Sequence, residues 1–261
     1  MIALLLPSYR RFRDLFVTLS NTPLAEGCKF VVVANYPDEH LSFLKKLFPK
    51  KAIFIDERQY GKGGMIKAYN IAFEFVKQNG FRYAALWADD LMPQKADWLK
   101  EVDELFIKPG HRFGIFSSDE CHKNHFGWNF FNGIPNAHFF IAEISALGDY
   151  FLRPELNAYV GDYEVCVRMK RKNIPMTLLP VRLDHHHTPN PTREKNNPYY
   201  AKDLEIFNQL YPEMAGVMDD VVLKGDYASN GQFVVDSGKL FHTRDRLDFK
   251  SYGDFLKESR S

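Results

Sequence analysis

The chain has 261 residues, 45% hydrophobic and 26% charged, which suits one large folded domain or a domain with an appendage and excludes a disordered chain. A formal net charge of +1 gives no overall field that would draw in nucleic acid or a membrane surface. The three cysteines, Cys28, Cys121 and Cys166, are scattered and odd in number, which argues against a disulfide framework and for a reducing, cytoplasmic setting.

Ile2 to Leu6 is an apolar run with no basic flank, far too short to cross a bilayer, and reads as a first core strand. Pro7-Ser8-Tyr9-Arg10-Arg11 follows as a polar turn. Phe12 to Asn21 predicts a helix with Phe12, Leu15, Phe16 and Leu19 on one face. Phe30 to Ala34 is a second buried strand, ending at Asn35-Tyr36-Pro37-Asp38, and His40 to Phe48 is a second amphipathic helix. Ala52 to Ile55 is a third strand with Asp56 at its end. Gly61-Lys62-Gly63-Gly64 is a flexible turn that opens a helix from Met65 to Gln78. Tyr83 to Ala88 is a fourth apolar run, and it ends on two adjacent carboxylates, Asp89 and Asp90. This alternation implies an α/β fold, a mostly parallel, Rossmann-like sheet with helices on both faces. Right-handed crossovers bring Ser8, Asn35, Asp56 and Asp90 to one rim, the edge where open α/β sheets hold ligands.

The pattern loosens from about residue 109. Phe113 to Phe116 reads as a strand, Cys121 to Asn136 as loop, His138 to Ile144 as a strand and Ser145 to Phe151 as a short helix. Asp162 to Lys172 predicts a helix and Met176 to Leu183 a strand that runs into Asp184-His185-His186-His187. Asp203 to Tyr211 is the last clear helix, and beyond Pro212 the periodicity is weak. The expected division is a domain over residues 1–190 and a C-terminal helix with an irregular appendage over 191–261.

Several motifs are missing. Gly61-Lys62-Gly63-Gly64-Met65-Ile66 fails the dinucleotide fingerprint, because Ile66 stands in place of the third glycine. There is no P-loop and no Gly-x-Ser-x-Gly elbow. Cys121-His122-Lys123-Asn124-His125 lacks a second ligand pair at zinc spacing.

Three polar features remain. Asp89-Asp90 repel unless a cation lies beside them, and Mg2+ or Mn2+ with bound phosphate is the usual answer. The alternative is a turn residue followed by a cap on a helix from Lys95 to Phe106. Gly161-Asp162-Tyr163-Glu164 opens a helix, and His185-His186-His187 ends a later strand. Carboxylate plus imidazole suits Mn2+ or Mg2+ when phosphate oxygens complete the shell.

In this order the features resemble the inverting GT-A glycosyltransferases, the family 2-like nucleotide-sugar enzymes. Ile2 to Tyr9 resembles their opening strand and nucleotide-binding turn. Gly64 to Ala72, with Ala68, Asn70 and Ala72, resembles their "G…A.N.A" helix. Leu86 to Pro93 is similar to the "DxD…P" segment, and Gly161 to Glu164 with Arg168 to the "ED.E…R" helix. The resemblance covers residues 1–190. Three positions depart from it: Ala88 replaces the first Asp of the DxD, Asn35 the acid after the second strand, and Gly161 the Glu before the base.

The resemblance implies transfer of a sugar from a nucleoside diphosphate sugar, with a UDP-sugar as the expected donor, to an acceptor hydroxyl. Asp162 is the implied general base. Asp90, with His185 or His187, is the implied ligand set for Mn2+ or Mg2+. Strand alternation turns His185 and His187 one way and His186 the other. Pro7, Ser8, Tyr9, Asn35 and Asp38 are the expected nucleoside contacts, with Asp89 facing the ribose. Arg10, Arg11, Lys62 and Lys67 are the expected phosphate contacts. Trp128 is a candidate on the acceptor side. The acceptor is left open between a saccharide and modified DNA, for which Arg193, Lys195, Lys202, Arg244, Arg246 and Lys250 supply cations. Two other readings stay open: a sugar nucleotidyltransferase, and a nucleotide-sugar-binding protein without turnover.

Overall fold

The computed structural model describes residues 1–61, 64–118, 134–185 and 199–214, with the backbone of 129–131, 226–227 and 233–235. The first half alternates as the apolar pattern requires. Strand β1 (Ile2–Tyr9) leads to α1 (Phe12–Asn21), β2 (Cys28–Asn35) to α2 (Asp38–Leu47), and β3 (Ala52–Asp56) to α3 (Met65–Gln78). Then come β4 (Tyr83–Leu86), β5 (Leu91–Pro93), α4 (Trp98–Val102) and β6 (Phe113–Ser118). The second half holds β7 (Asn129–Phe131), β8 (Ile134–Asn136), β9 (Phe140–Glu143), α5 (Ile144–Leu147), α6 (Gly161–Arg171), β10 (Met176–His185) and α7 (Tyr199–Leu210). Two short strands, β11 (Asp226–Tyr227) and β12 (Phe233–Val235), complete the described elements.

Among the described residues the main sheet runs β11-β12-β10-β6-β9-β4-β1-β2-β3, with β5 on the end of β10. β3, β2, β1 and β4 are parallel, and so are β6 and β10. β9 is antiparallel to both of its neighbours, β4 and β6. From β1 the chain proceeds outward to β2 and β3, then returns to place β4 on the other side of β1. That reversal leaves a crevice at the carboxyl ends of β1 and β4, where ligands bind in open sheets.

Apolar burial fixes the centre of the sheet. Trp87, completely buried, packs against Trp98, Phe30 and Phe116 with ring centroids 5.1, 6.3 and 6.5 Å away. It is core rather than a ring-stacking surface. β1 runs three residues past the apolar run, through Tyr9. Pro7 is tolerated in it because the pairing with β4 stops at Leu5 and Leu86, so its missing N–H faces no ladder on that side.

The structure differs from the sequence reading at four places. Within Cys121 to Asn136, read as loop, Asn129–Phe131 and Ile134–Asn136 pair as antiparallel strands. Leu91–Pro93, expected to lead into a helix, is a strand antiparallel to the end of β10. The helix begins only at Trp98, after Asp97, so Asp90 is not its cap. Beyond residue 212, where no regular structure was expected, β12 pairs with Met176 to Leu178 of β10. No helix among the described residues is long and apolar enough to cross a membrane.

Candidate active site

The crevice at the β1/β4 ends is lined by a buried ionic cluster. β4 stops at Leu86, so the carbonyls beyond it need other partners. The Tyr69 hydroxyl of α3 donates to the Trp87 carbonyl at 2.7 Å, and the Thr18 hydroxyl of α1 donates to the Asp89 carbonyl at 2.7 Å. This fixes the backbone that carries Asp89 and Asp90, both of which are buried.

Arg11, in the turn after β1, supplies the cation. Its Nη1 lies 2.8 Å from Asp89 Oδ1, its Nη2 2.7 Å from Asp90 Oδ2, and its Nε donates to Asp14 Oδ2 at 2.9 Å. The second oxygen of each carboxyl has its own partner. Ser8 Oγ donates to Asp89 Oδ2 at 2.6 Å. With its one hydrogen committed there, Ser8 accepts from the Tyr36 hydroxyl at 2.6 Å, and the Tyr36 oxygen in turn accepts the Arg11 N–H at 3.2 Å. Asp90 Oδ1 faces His185 Nε2 at 2.8 Å. His185 is held there because it pairs with Leu91 in the β10–β5 ladder, one residue past Asp90, and its ring packs edge to face on Phe139.

The two carboxyls titrate differently. Burial pushes Asp89 up to about 6, against Arg11 and Ser8, with the Asp90 charge adding to the rise. Asp90 is also pushed up by burial, but hydrogen bonds and charge from His185 and Arg11 outweigh it and hold it below the usual carboxylate range. Burial likewise raises the Tyr36 hydroxyl to about 12, so it remains a donor at neutral pH. Arg11 is held charged, since Asp89, Asp90 and Asp14 outweigh its own desolvation.

Asp162 stands in the first turn of α6. Its Oδ2 lies 3.5 Å from His138 Nδ1, and its Oδ1 accepts the Tyr163 N–H at 3.0 Å. The buried Tyr69 hydroxyl is raised well above its usual value, first by desolvation and then by the charges of Asp89, Asp90 and Asp162. Asp162 is thus near enough for its charge to act on the phenol that holds the Trp87 carbonyl.

The other predicted residues are placed less uniformly. Tyr9 faces Asn35 in the β1–β2 register, beside Pro7 and Ser8. Arg10 is exposed, at φ +58°, with its guanidinium over the Tyr9 ring at 5.1 Å. Asp38 is ion-paired with Arg58, which also grips Asp56. Lys67 Nζ donates to the Tyr60 carbonyl at 2.7 Å. Lys62, Trp128, His186, His187, Arg193, Lys195, Arg244, Arg246 and Lys250 lie outside the described residues. Sequence reasoning gave Arg11 only a phosphate role and passed over Tyr36 and His138. The signal for Arg11 was partial: two buried acids require an adjacent cation, but the chain alone does not say whether Arg10 or Arg11 turns inward.

A divalent cation can be tested against this geometry. Octahedral ligands about 2.1 Å from Mg2+ lie about 3.0 Å from each other, close to the 2.8 Å between Asp90 Oδ1 and His185 Nε2. Among the described residues no three His, Cys, Asp or Glu side chains converge on a metal position. Two protein ligands with phosphate oxygens and water is the ordinary arrangement for Mg2+ at a nucleotide, so the residues fit the ion.

Solved structures share this architecture. The S. aureus TarS fragment 1–349 superposes with a TM-score of 0.54 at 13% identity, over 82% of this chain and 66% of that one. The mannosyltransferase PcManGT from Pyrobaculum calidifontis, solved with GDP-Man and Mn2+, gives 0.59 at 12%, over 80% and 64%. Glucosyl-3-phosphoglycerate synthase from Mycobacterium tuberculosis, solved with Mn2+, UDP and glucosyl-3-phosphoglycerate, gives 0.53 at 11%, over 97% and 91%. The chain has the GT-A glycosyltransferase fold. It thus spans slightly less than two thirds of the TarS fragment and of the mannosyltransferase. No protein-family model and no curated protein matches the sequence.

The raised Asp89 carboxyl has a measurable consequence. The folded state holds a proton between the ordinary value of 3.8 and about 6 that the unfolded chain has released. Its contribution to stability is therefore present below that window and lost as pH rises through it. In urea unfolding, the stability of wild type minus that of Asp89→Asn is expected to fall from pH 4 to pH 6, by at most about 1.4 kcal/mol per pH unit, and to level off above that. A difference that does not change with pH would show that folding leaves the Asp89 carboxyl at its ordinary value.

Proposed function

We propose that the protein is a metal-dependent inverting glycosyltransferase that moves a sugar from a nucleoside diphosphate sugar, a UDP-sugar in the first instance, to an acceptor hydroxyl. The observation that carries this reading is the buried Asp89–Asp90 pair, with His185 on Asp90, at the switch point of a GT-A sheet.

Asp90 and His185 would hold Mn2+ or Mg2+. When bound, the ion neutralises the charge that develops on the leaving diphosphate. Asp89, fixed by Ser8 and Arg11, faces the nucleoside side, with Pro7, Ser8, Tyr9 and Asn35 at the neighbouring strand ends. Asp38 is a weaker nucleoside candidate, because Arg58 holds it. Arg10, Lys62 and Lys67 are the proposed phosphate contacts. Asp162 takes the proton from the acceptor oxygen as that oxygen attacks the anomeric carbon opposite the leaving group, which inverts the centre. His138 beside Asp162 orients the carboxylate. The acceptor class remains between saccharide and modified DNA.

A second reading is favoured by one observation. Arg11 already satisfies one oxygen of each carboxyl, as suits a protein that binds a nucleotide sugar without turning it over. Turnover separates the two readings.

A thermal-shift screen of UDP- and GDP-sugars with Mn2+ should identify the donor, since a ligand at 100 times its Kd stabilises by about 2.7 kcal/mol. Asp162→Asn is expected to lower nucleotide release about 10²- to 10⁴-fold while keeping the wild-type shift with UDP and Mn2+. Full turnover in that variant would remove Asp162 as base. Asp90→Asn is expected to abolish the Mn2+-dependent part of the UDP shift. An unchanged shift would place the cation elsewhere.

A further inference from the structure

The segment that leads into Asp162 is held from outside α6. We infer that Asp203 of α7 is a positioning residue for Asp162. It clamps residues 157–159 and so fixes the left-handed turn at Val160 from which α6 starts. The inference rests on the reading of Asp162 as the base.

Asp203 is completely buried. Its Oδ1 accepts the Asn157 backbone N–H at 2.9 Å and the Asn157 side-chain amide at 2.7 Å. Its Oδ2 accepts the N–H groups of Ala158 and Tyr159, each at 2.8 Å. Tyr159 also packs edge to face on Tyr200 of α7, with centroids 5.4 Å apart. From the other side Gly64 abuts the same loop, and a Cβ there would come within 2.9 Å of the Asn157 carbonyl oxygen.

The next residue is Val160, at φ +52°. A residue with a branched β carbon avoids this region, and it stays there only where the surroundings over-determine it. The four bonds to Asp203 are such surroundings. The Val160 carbonyl then accepts the Glu164 N–H at 2.8 Å, which begins α6. The direction of that first turn, and with it the approach of Asp162 to His138, is set at Val160. Both oxygens of Asp203 are engaged by residues 157–159, so its effect passes through the loop.

A simple anchor for α7 would involve the same bonds, and glycine distinguishes the two roles. Glycine enters the left-handed region without steric cost. Val160→Gly should therefore relieve the need for the clamp, but it cannot repair a lost helix anchor.

The test uses the full chain as wild type, Asp162→Asn, Asp203→Asn, Val160→Gly and the Asp203→Asn/Val160→Gly double variant. Amide hydrogen exchange is followed over residues 157–165. Nucleotide release is followed from UDP-glucose and from GDP-mannose, each with Mn2+. Asp203→Asn puts an amide N–H₂ against N–H donors. It is expected to speed exchange at 160–163 about tenfold. It should also slow release about 10- to 100-fold, with KM for the nucleotide sugar within about twofold. The double variant is expected to recover both. Should Asp203→Asn not fold, Asn157→Ala removes one bond of the four and is expected to give about a threefold loss in the same sense, also recovered by Val160→Gly. Unchanged exchange and release in Asp203→Asn, or losses that Val160→Gly does not recover, would overturn the inference. Retained release in Asp162→Asn would instead remove the base. The exchange arm needs no substrate, so it decides the role of Asp203 separately.

Discussion

Two adjacent carboxylates cannot share a buried crevice without a cation, and the architecture around β1 and β4 answers that constraint with Arg11. Removing one partner of a buried ionic cluster typically costs about 3–5 kcal/mol, because the remaining charge is left without compensation. The cluster is thus too expensive to leave half-built. Its geometry depends on the whole first half of the fold. The turn after β1 brings Arg11, the end of β2 brings Tyr36, and the end of β4 brings the carboxyls. β5 then folds back on β10 to bring His185. The result is one side of the crevice that is rich in fixed, buried charge.

The surroundings of Asp162 are built differently. There the support comes from backbone N–H groups gathered on one carboxyl from α7 and from a strained residue at the start of α6. The carboxyl pair is ordered by ion pairing and the start of α6 by backbone geometry. Under the proposed chemistry this division is sensible. Leaving-group charge needs a polar surround that is already organised, whereas a base needs its lone pair aimed at one position.

Much of this could be read from the chain. Apolar runs such as Phe30 to Ala34 and Tyr83 to Leu86 can only be buried strands, and the 3.6-residue spacing in Phe12 to Asn21 and Met65 to Gln78 gives helices with matching boundaries. The polar ends of those strands marked the crevice. Leu91–Pro93 escaped because three residues carry no periodicity, and its pairing depends on β10, some ninety residues later. Asp203 escaped for a related reason. On a helix it looks like a solvated acid, and its partners lie 44 to 46 residues earlier. Arg11 was visible as a residue but not as a counter-ion, since two neighbouring arginines at a turn do not declare which one turns inward. Asp89 and Asp90 were also separable only in three dimensions, where burial raises one and His185 with Arg11 lowers the other.

The central claim is that Asp90 and His185 together form the protein's half of a cation site that a nucleoside diphosphate completes. Pulsed electron paramagnetic resonance of Mn2+ with UDP and the wild-type protein tests it most directly. The account predicts modulation from a single imidazole nitrogen that disappears in His185→Gln. Protein-bound Mn2+ without nitrogen coupling, or coupling that survives loss of His185, would contradict it.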